Sequence, residues 1–267
     1  MHRPARVVAV AFVSLLAATF LPASRASAAA PWIYRGLTLP RHDIAVGFGL
    51  GYGHQNVPAP ANDVGGWGLN LEMRAGIAHG FELGFRMGFR LDDGGQATRA
   101  DRYGRPFDTE TYGTNQDRVA NPELRFRWSV ARGYAAELGL ELRAYLPIEN
   151  GSRFGMMFGL PIALRAGPVR FDTGLYVPVL FYTPTETKVS VPLHIWIQAA
   201  YNFWLGPLLG LRVDNPGGHI AYPLGFGLGW QTSRAVDIRT WFLFPDMNEN
   251  AAARTYGIGI ALEVRFE

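Results

Sequence analysis

The stretch that decides the fold is Tyr256-Gly-Ile-Gly-Ile-Ala-Leu-Glu-Val-Arg-Phe266, near the end of the chain. Large apolar side chains alternate in it with small or charged ones, which is the period of two of a β-strand. One face of this strand is apolar, and the other carries glycine, Glu263 and Arg265. The stretch predicts a final strand between an apolar and a polar environment, with an aromatic residue, Phe266, at its edge.

The same alternation returns along most of the chain, in about twelve runs of roughly nine to thirteen residues. Clear examples are 44–52, 81–91, 124–130 and 220–230. The second face of these runs is largely Gly, Glu and Arg, and glycine at every second position suits an exposed sheet poorly. Inside a closed barrel the same glycines make room. The run around 205–213 is the least regular, because Pro207 disturbs its alternation.

The connections between the runs alternate between long and short. The long ones include 54–66, 92–117 and 147–155, and the short ones include 78–80, 131–133 and 166–167. The rule continues more weakly towards the C-terminus. It indicates an up-and-down barrel with tight turns at one end and long loops at the other.

Aromatic residues collect at both ends of the predicted strands, although aromatics also favour strands in general. At the short-turn end they are Trp128, Tyr134, Tyr201, Trp204, Trp230 and Phe266. At the long-loop end they are Tyr52, Trp67, Phe89, Phe158, Phe181, Tyr222, Phe244 and Tyr256. Two such bands are typical of the two interfaces of a membrane.

With these features the chain from Arg41 onwards resembles a Gram-negative outer-membrane β-barrel. The resemblance implies an all-β, antiparallel, up-and-down transmembrane barrel of about 12 strands, with 10 to 14 as the range. It also implies contact with outer-membrane lipids and recognition of the C-terminal strand by the outer-membrane insertion machinery. Gly259, Leu262 and Val264 stand at the expected offsets, whereas Glu267 follows the aromatic residue that is usually last.

The N-terminus predicts export. Arg3 and Arg6 precede an apolar run over 7–21, and Ala26-Ser27-Ala28 follows. This is the pattern of a cleaved signal peptide over residues 1–28, and the run is shorter than the ~20 residues of a spanning helix. Residues 29–40 are then a periplasmic segment that either stays outside or folds into the lumen, and 41–267 form the barrel.

Charge and composition exclude several classes of function. Removal of residues 1–28 takes away three arginines and no acid, which leaves 22 basic against 22 acidic residues. This balance gives no support to a nucleic-acid partner. Because the chain contains no cysteine, it has no disulfide framework, lipoprotein anchor or thiolate metal site. We expect no cofactor and no bound metal.

Charged side chains on the predicted strands two to five point into the lumen. The predicted lumen-lining residues are Glu72, Glu82, Glu123, Glu137, Glu141, Arg74, Arg86, Arg90, Arg125, Arg127 and Arg143. Five acids against six arginines are nearly balanced. They either select solutes by charge or form an ion-pair lattice that holds the lumen together, and the balance favours the lattice.

Two tight turns predict strand registers. A three-residue loop at 78–80, with Gly80 left-handed, places Glu72 opposite Arg86 and Ile77 opposite Phe81. The same construction at 131–133 places Val130 opposite Tyr134, and therefore Arg127 opposite Glu137. Both registers bring opposite charges together.

The wall around the closing seam is predicted to be bare. Glycines at 47, 49 and 51, at 225, 227 and 229, and at 257 and 259 all face inward. The free volume beside them is a water path, a place for a loop or for residues 31–40, or only a means of curving the sheet. The acidic connection 92–117 is predicted to be a solvated loop that gates the mouth rather than a cation site.

No enzyme is predicted. His194 is the one histidine placed mid-strand and inward, and Ser190 on the same strand lies roughly 13 Å away, too far for a hydrogen bond. The leading expectation is a narrow channel or transporter for a small polar solute. The alternative is a non-conducting barrel with a structural or binding role at the surface, and an outer-membrane lipid hydrolase is less expected.

Overall fold

A computed structural model describes residues 31–55, 64–91, 118–148, 150–181, 185–215, 218–248 and 255–266. The described strands are β1 (Ile44–Gln55), β2 (Val64–Ala78), β3 (Phe81–Arg90), β4 (Glu123–Arg132), β5 (Ala136–Tyr145), β6 (Gly155–Ala166), β7 (Val169–Leu180), β8 (Glu186–Ala200), β9 (Phe203–Asn215), β10 (Ile220–Ala221), β11 (Leu224–Gln231), β12 (Val236–Phe244) and β13 (Thr255–Phe266). A short 3₁₀ helix covers Trp32–Tyr34. None of the helical structure in these ranges is long and apolar enough to cross a membrane. The predicted signal peptide and the loop 92–117 lie outside the described residues.

The sheet closes on itself through antiparallel pairs. β13 pairs with β1 from Ile44 opposite Phe266 to Gln55 opposite Thr255, and β8 pairs with β9 on the far side. β10 pairs only with β9 and is an extension of two residues. The remaining strands form a closed 12-strand barrel, as the sequence predicts.

Proline affects the two irregular strands differently. The predicted run 220–230 is divided into β10 and β11 at Tyr222-Pro223, where Pro223 has no N–H for a strand ladder. The run around Pro207 is nevertheless continuous, and Pro207 keeps its register opposite Phe226 of β11.

The first predicted register is correct along the strand and wrong at its turn. Glu72 lies opposite Arg86 as predicted, and Gly80 has φ +83. However, Ala78 rather than Ile77 faces Phe81, because the register shifts between Gly76 and Ala78. A β-bulge takes up the extra residue and shortens the loop.

The second predicted register is wrong. Arg127 lies opposite Glu141, while Glu137 lies opposite Arg132. The reason is that β4 continues to Arg132 and carries a register shift between Ser129 and Ala131. An even displacement keeps every side chain on its face, so both glutamates still point inward.

The barrel has an apolar outside and a charged inside. Trp67, Met73 and Phe158 are exposed on the outer face, whereas Glu82 and Arg143 are buried on the inner face. This is the reverse of a water-soluble protein, and it is the distribution of a barrel whose outer face contacts lipid.

Candidate functional site

Residues 31–40, called the lid segment below, cross the lumen at its short-turn end. On one side, the ring of Trp32 stacks on Trp204 of β9, with 5.4 Å between centroids. On the other side, the N–H of Leu39 donates to Glu82 of β3 at 3.0 Å. β3 and β9 stand on opposite sides of the ring of strands. The lid segment therefore spans the width of the barrel.

Two arginines of the wall hold the carbonyl groups of the lid segment. Arg165 donates from Nε to the oxygen of Ile33 at 2.9 Å and from Nη2 to that of Arg35 at 2.8 Å. Arg170 donates to the same Arg35 oxygen at 2.7 Å, and its guanidinium lies 4.6 Å from the centre of the Trp32 ring. Buried carbonyl groups require such donors because this segment has no strand partner.

The other end of the lid segment is held in the same way. The N–H of Leu37 donates to Glu137 at 3.1 Å, and the oxygen of Leu37 accepts from Arg127 at 2.9 Å. Arg35 pairs with Asp237 on β12. The predicted lumen residues Glu137 and Arg127 thus bind the chain's own N-terminal segment as well as the wall.

The lid segment leads into β1, and where it does so it makes a close contact with Gly76 of the neighbouring strand β2. A Cβ atom at Gly76 would lie 1.8 Å from the carbonyl oxygen of Pro40, so no other residue fits there. His42, with φ 75, donates its N–H to the oxygen of Gly76 at 2.7 Å. This contact fixes the direction in which the chain enters the lumen.

Ion pairs connect the strands inside the barrel in two clusters. In the first, Arg74 pairs with Glu263 at 2.5 Å and with Glu82 at 3.7 Å. Arg125 pairs with Glu72 at 2.9 Å and with Glu82 at 3.2 Å. This cluster joins β13, β2, β3 and β4.

The second cluster joins β3, β4 and β5. Glu141 pairs with Arg127 and Arg143, and Glu123 pairs with Arg86. Arg143 also approaches Glu123 at 3.9 Å. Of the eleven predicted lumen residues, Glu72, Arg74, Arg125 and Arg127 are half-buried, and the others, including Arg90, are buried.

The first cluster passes over the closing seam. Gly47 on β1 lies opposite both Glu72 of β2 and Glu263 of β13. Because Gly47 has no side chain, Arg74 reaches over β1 to Glu263. The seam glycine thus permits an ion pair between the first and last parts of the barrel.

Two glycines of the predicted bare wall, Gly229 and Gly259, are covered rather than bare, contrary to the prediction. A Cβ at Gly229 would lie 2.2 Å from the ring of Trp204, and one at Gly259 would lie 2.3 Å from Trp241. Trp204 itself is fully buried, so its predicted place in the interfacial band is wrong. These glycines make room for indole rings of neighbouring strands.

The other predicted interface aromatics lie on the outer face. Trp67, Trp128, Tyr134, Tyr201, Trp230 and Phe266 are exposed, and Tyr256 is half-buried. Tyr134 stacks on Tyr34 of the lid segment with 5.7 Å between ring centroids. Their contact with the membrane interface stays a prediction.

A cavity of about 290 Å³ lies between the lid segment and the wall. The positively charged residues that line it are Arg35, Arg74, Arg86, Arg125, Arg127, Arg170, Arg239 and Arg265. Its acidic lining is Glu72, Asp172 and Glu263, and its aromatic lining, besides His194, is Trp32, Phe48, Tyr176, Trp196 and Trp241. The cavity surface therefore carries arginine and aromatic side chains next to one another, as where Arg170 lies over Trp32.

The predicted lumen charges of strands two to five do not include this excess. The later strands add Arg165, Arg170, Lys188, Arg212, Arg239 and Arg265 against the described acids Asp172, Glu186, Asp237 and Glu263. These charges could have been predicted from the sequence, because each of the residues stands at a position of its strand whose side chain points into the lumen.

His194 also lines the cavity, with its ring centroid 6.2 Å from that of Trp196. On the neighbouring strand β7 it lies opposite Asp172. Within the described ranges, no group of three or more His, Cys, Asp or Glu side chains could hold a metal ion.

A closed antiparallel barrel with an apolar exterior and a charged interior is the fold of the outer-membrane β-barrel class. Among solved structures the chain is similar to the NanC porin, with a TM-score of 0.59 and 7% identity over 82% of this chain and 98% of that one. It is also similar to an outer membrane channel from Pseudomonas putida F1, with a TM-score of 0.58 and 10% identity over 88% and 99% of the two chains.

A third similar structure is the translocator domain of the autotransporter NalP from Neisseria meningitidis, with a TM-score of 0.51 and 9% identity over 86% and 89% of the chains. No protein-family model matches the sequence, and no curated protein matches it. At these identities the likeness concerns the fold alone.

Proposed function

We propose that this protein is a narrow channel of the Gram-negative outer membrane for a small polar solute. In this proposal a cleaved signal peptide over 1–28 exports the chain, and the insertion machinery reads its C-terminal strand. The observation that carries the proposal is the charged cavity of about 290 Å³ inside a barrel with an apolar exterior. The similarity of the fold to a porin and a channel supports it.

The lid segment is the gate in this proposal. It closes the short-turn mouth through hydrogen bonds, ion pairs and ring contacts, while the strands pair only with one another. Displacement of the lid segment therefore leaves the strand ladder intact. The short-turn end faces the periplasm, as in other outer-membrane barrels.

Conductance in a planar lipid bilayer tests the channel. Ohmic steps are expected for the folded protein, and Arg86→Gln should change their size because Arg86 lines the cavity. Arg153→Gln, at an exposed position after β5, is the control for the loss of one charge and should leave the steps unchanged. A folded barrel that stays silent even when the lid segment is weakened would contradict the channel.

The second candidate is a non-conducting barrel with a structural or binding role at the surface. It is favoured by the combination of the lid segment and the ion-pair clusters, which together could fill the lumen permanently. A variant with a weakened lid segment separates the two, since only a gated channel gains conductance.

A further inference from the structure

We propose that the cavity beneath the lid segment is a binding site for a small organic carboxylate that also has an apolar face. The inference rests on the proposed function, because it names the class of solute for that lumen. Three features of the cavity lead to it: the charge of the accessible surface, the polar atoms without a partner, and the aromatic wall.

The charge of the cavity lining is positive because arginines outnumber carboxylates there, eight against three. The side chain of Arg239 is 37% exposed, whereas that of its partner Glu263 is 5% exposed, so Arg239 presents its charge to the cavity. Glu72 and Asp172 are also partly exposed, at 26% and 23%, and the excess of arginine remains. Guanidinium edges bind carboxylates through paired hydrogen bonds.

Among the described residues that line the cavity, three buried polar atoms have no hydrogen-bond partner. They are the donors Nε of Arg125 on β4 and Nε1 of Trp241 on β12, and the acceptor Oδ1 of Asn70 on β2. Asn70 is 6% exposed, and buried polar groups of this kind are normally satisfied. These atoms lie just below the cavity surface, so the ligand has to turn the two side chains towards it. A carboxylate then accepts from Arg125, and a hydroxyl or amide group on the same ligand donates to Asn70.

The aromatic part of the lining favours an organic ligand over an inorganic ion. It includes Trp32, Trp196 and Tyr176, and the rings of Trp32 and Trp196 meet edge to face at 5.3 Å. Aromatic surfaces of this kind bind a ring or a hydrocarbon face. A volume of about 290 Å³ lies at the lower limit of small-molecule sites, roughly 300–1,000 Å³, so the ligand is small.

Isothermal titration calorimetry on the folded protein in detergent tests the site. The probes are benzoate, the neutral benzamide, acetate and inorganic phosphate. Benzoate should bind at least about tenfold more tightly than benzamide, because the charge is required, and more tightly than acetate, because the ring is required. Equal affinity for benzoate and benzamide overturns the charge requirement, and equal affinity for benzoate, acetate and phosphate overturns the apolar face.

A matched pair of variants locates the site. Arg239→Gln should weaken benzoate binding about tenfold, because Arg239 lines the cavity. Arg153→Gln is the control, because it removes the same charge from an exposed position between β5 and β6. Arg153 does not line the cavity, so affinity should not change. Equal losses in both variants would mean a general charge effect and would overturn the site.

Trp32 provides a test that leaves the strands untouched. Trp32→Leu in the lid segment should weaken benzoate binding and leave acetate binding unchanged, and an equal effect on both overturns the aromatic wall. These measurements are independent of conductance. A silent barrel that binds benzoate contradicts the channel alone, and a conducting barrel that does not bind it contradicts the site alone.

Discussion

Replacement of Arg165 with glutamine should loosen the lid segment while the barrel wall stays folded. Arg165 donates to the carbonyl groups of Ile33 and Arg35 at 2.9 and 2.8 Å. Its third partner is Glu137 at 3.1 Å. Glu137 keeps the hydroxyl of Ser129, which donates to it at 2.5 Å, so the change does not leave a buried carboxylate without a donor.

The size of the effect follows from these bonds. A hydrogen bond from a charged donor contributes ~1.5–3 kcal/mol, so the two bonds to the lid segment are worth about 3–6 kcal/mol at most. Water at the mouth replaces part of this stabilisation, and the glutamine side chain retains one weaker hydrogen-bond donor. We therefore expect a net loss of about 2–3 kcal/mol, which raises the ratio of open to closed lid roughly 30- to 150-fold.

Single-channel recording measures this ratio as the open probability. Arg239→Gln is the control, because it removes the same charge from the wall and Arg239 pairs with Glu263 rather than with the lid segment. Arg165→Gln should open far more often than the unchanged protein, whereas Arg239→Gln should alter the current through each opening. An open probability that stays within about threefold of the unchanged protein in Arg165→Gln would refute the gate.

Two further changes test the wall and the long-loop end. Gly229→Ala places a methyl group 2.2 Å from the ring of Trp204 and should cost about 1–3 kcal/mol or more, measured by urea unfolding in detergent. Gly210→Ala on β9 is the control, because a methyl group there meets only ordinary contacts. Equal destabilisation by the two changes would contradict the packing argument. Asp246 pairs with His219 at 2.8 Å; burial raises its pKa, but two backbone N–H groups and the His219 side chain together hold the pKa below its ordinary value. The stabilisation of the folded state by the charged Asp246 is complete above the ordinary pKa and is lost as the pH falls through the lowered pKa. Asp246→Asn should therefore speed amide exchange in β10 at neutral pH and abolish the acid dependence of that exchange. Unchanged exchange would contradict the pairing.

The strand pattern was predictable because each strand separates lipid from lumen, which imposes a period of two over its whole length. Glu72 opposite Arg86 followed from one turn. The predicted pairing of Arg127 with Glu137 is wrong, because a bulge within β4 moves the turn. Nothing in the alternation of the sequence marks a bulge. Trp204 has the same parity on β9 as Leu208, and both side chains therefore point inward. The prediction that Trp204 lies in the interfacial band was wrong because it used only the position of Trp204 near the strand end and not its parity.

The contacts of the lid segment could not be predicted in detail, because they depend on closure of the barrel. Ile33 accepts from Arg165 across 132 residues, and Leu37 donates to Glu137 across 100. Residues 31–40 have no period of two and no strand partner. Their partners become neighbours only after the whole ring has formed.

The lid segment and the seam impose one order of assembly. Gly47 on β1 lets Arg74 reach Glu263 on the last strand, so this pair forms only when the barrel closes. The lid segment enters the lumen directly before β1, through the contact of Pro40 with Gly76, and its far end reaches Trp204 on β9. The lid can be fully seated only after closure has brought β9 opposite β3. Its bonds therefore add to a wall that is already complete, which is why they can break and re-form without unfolding the barrel.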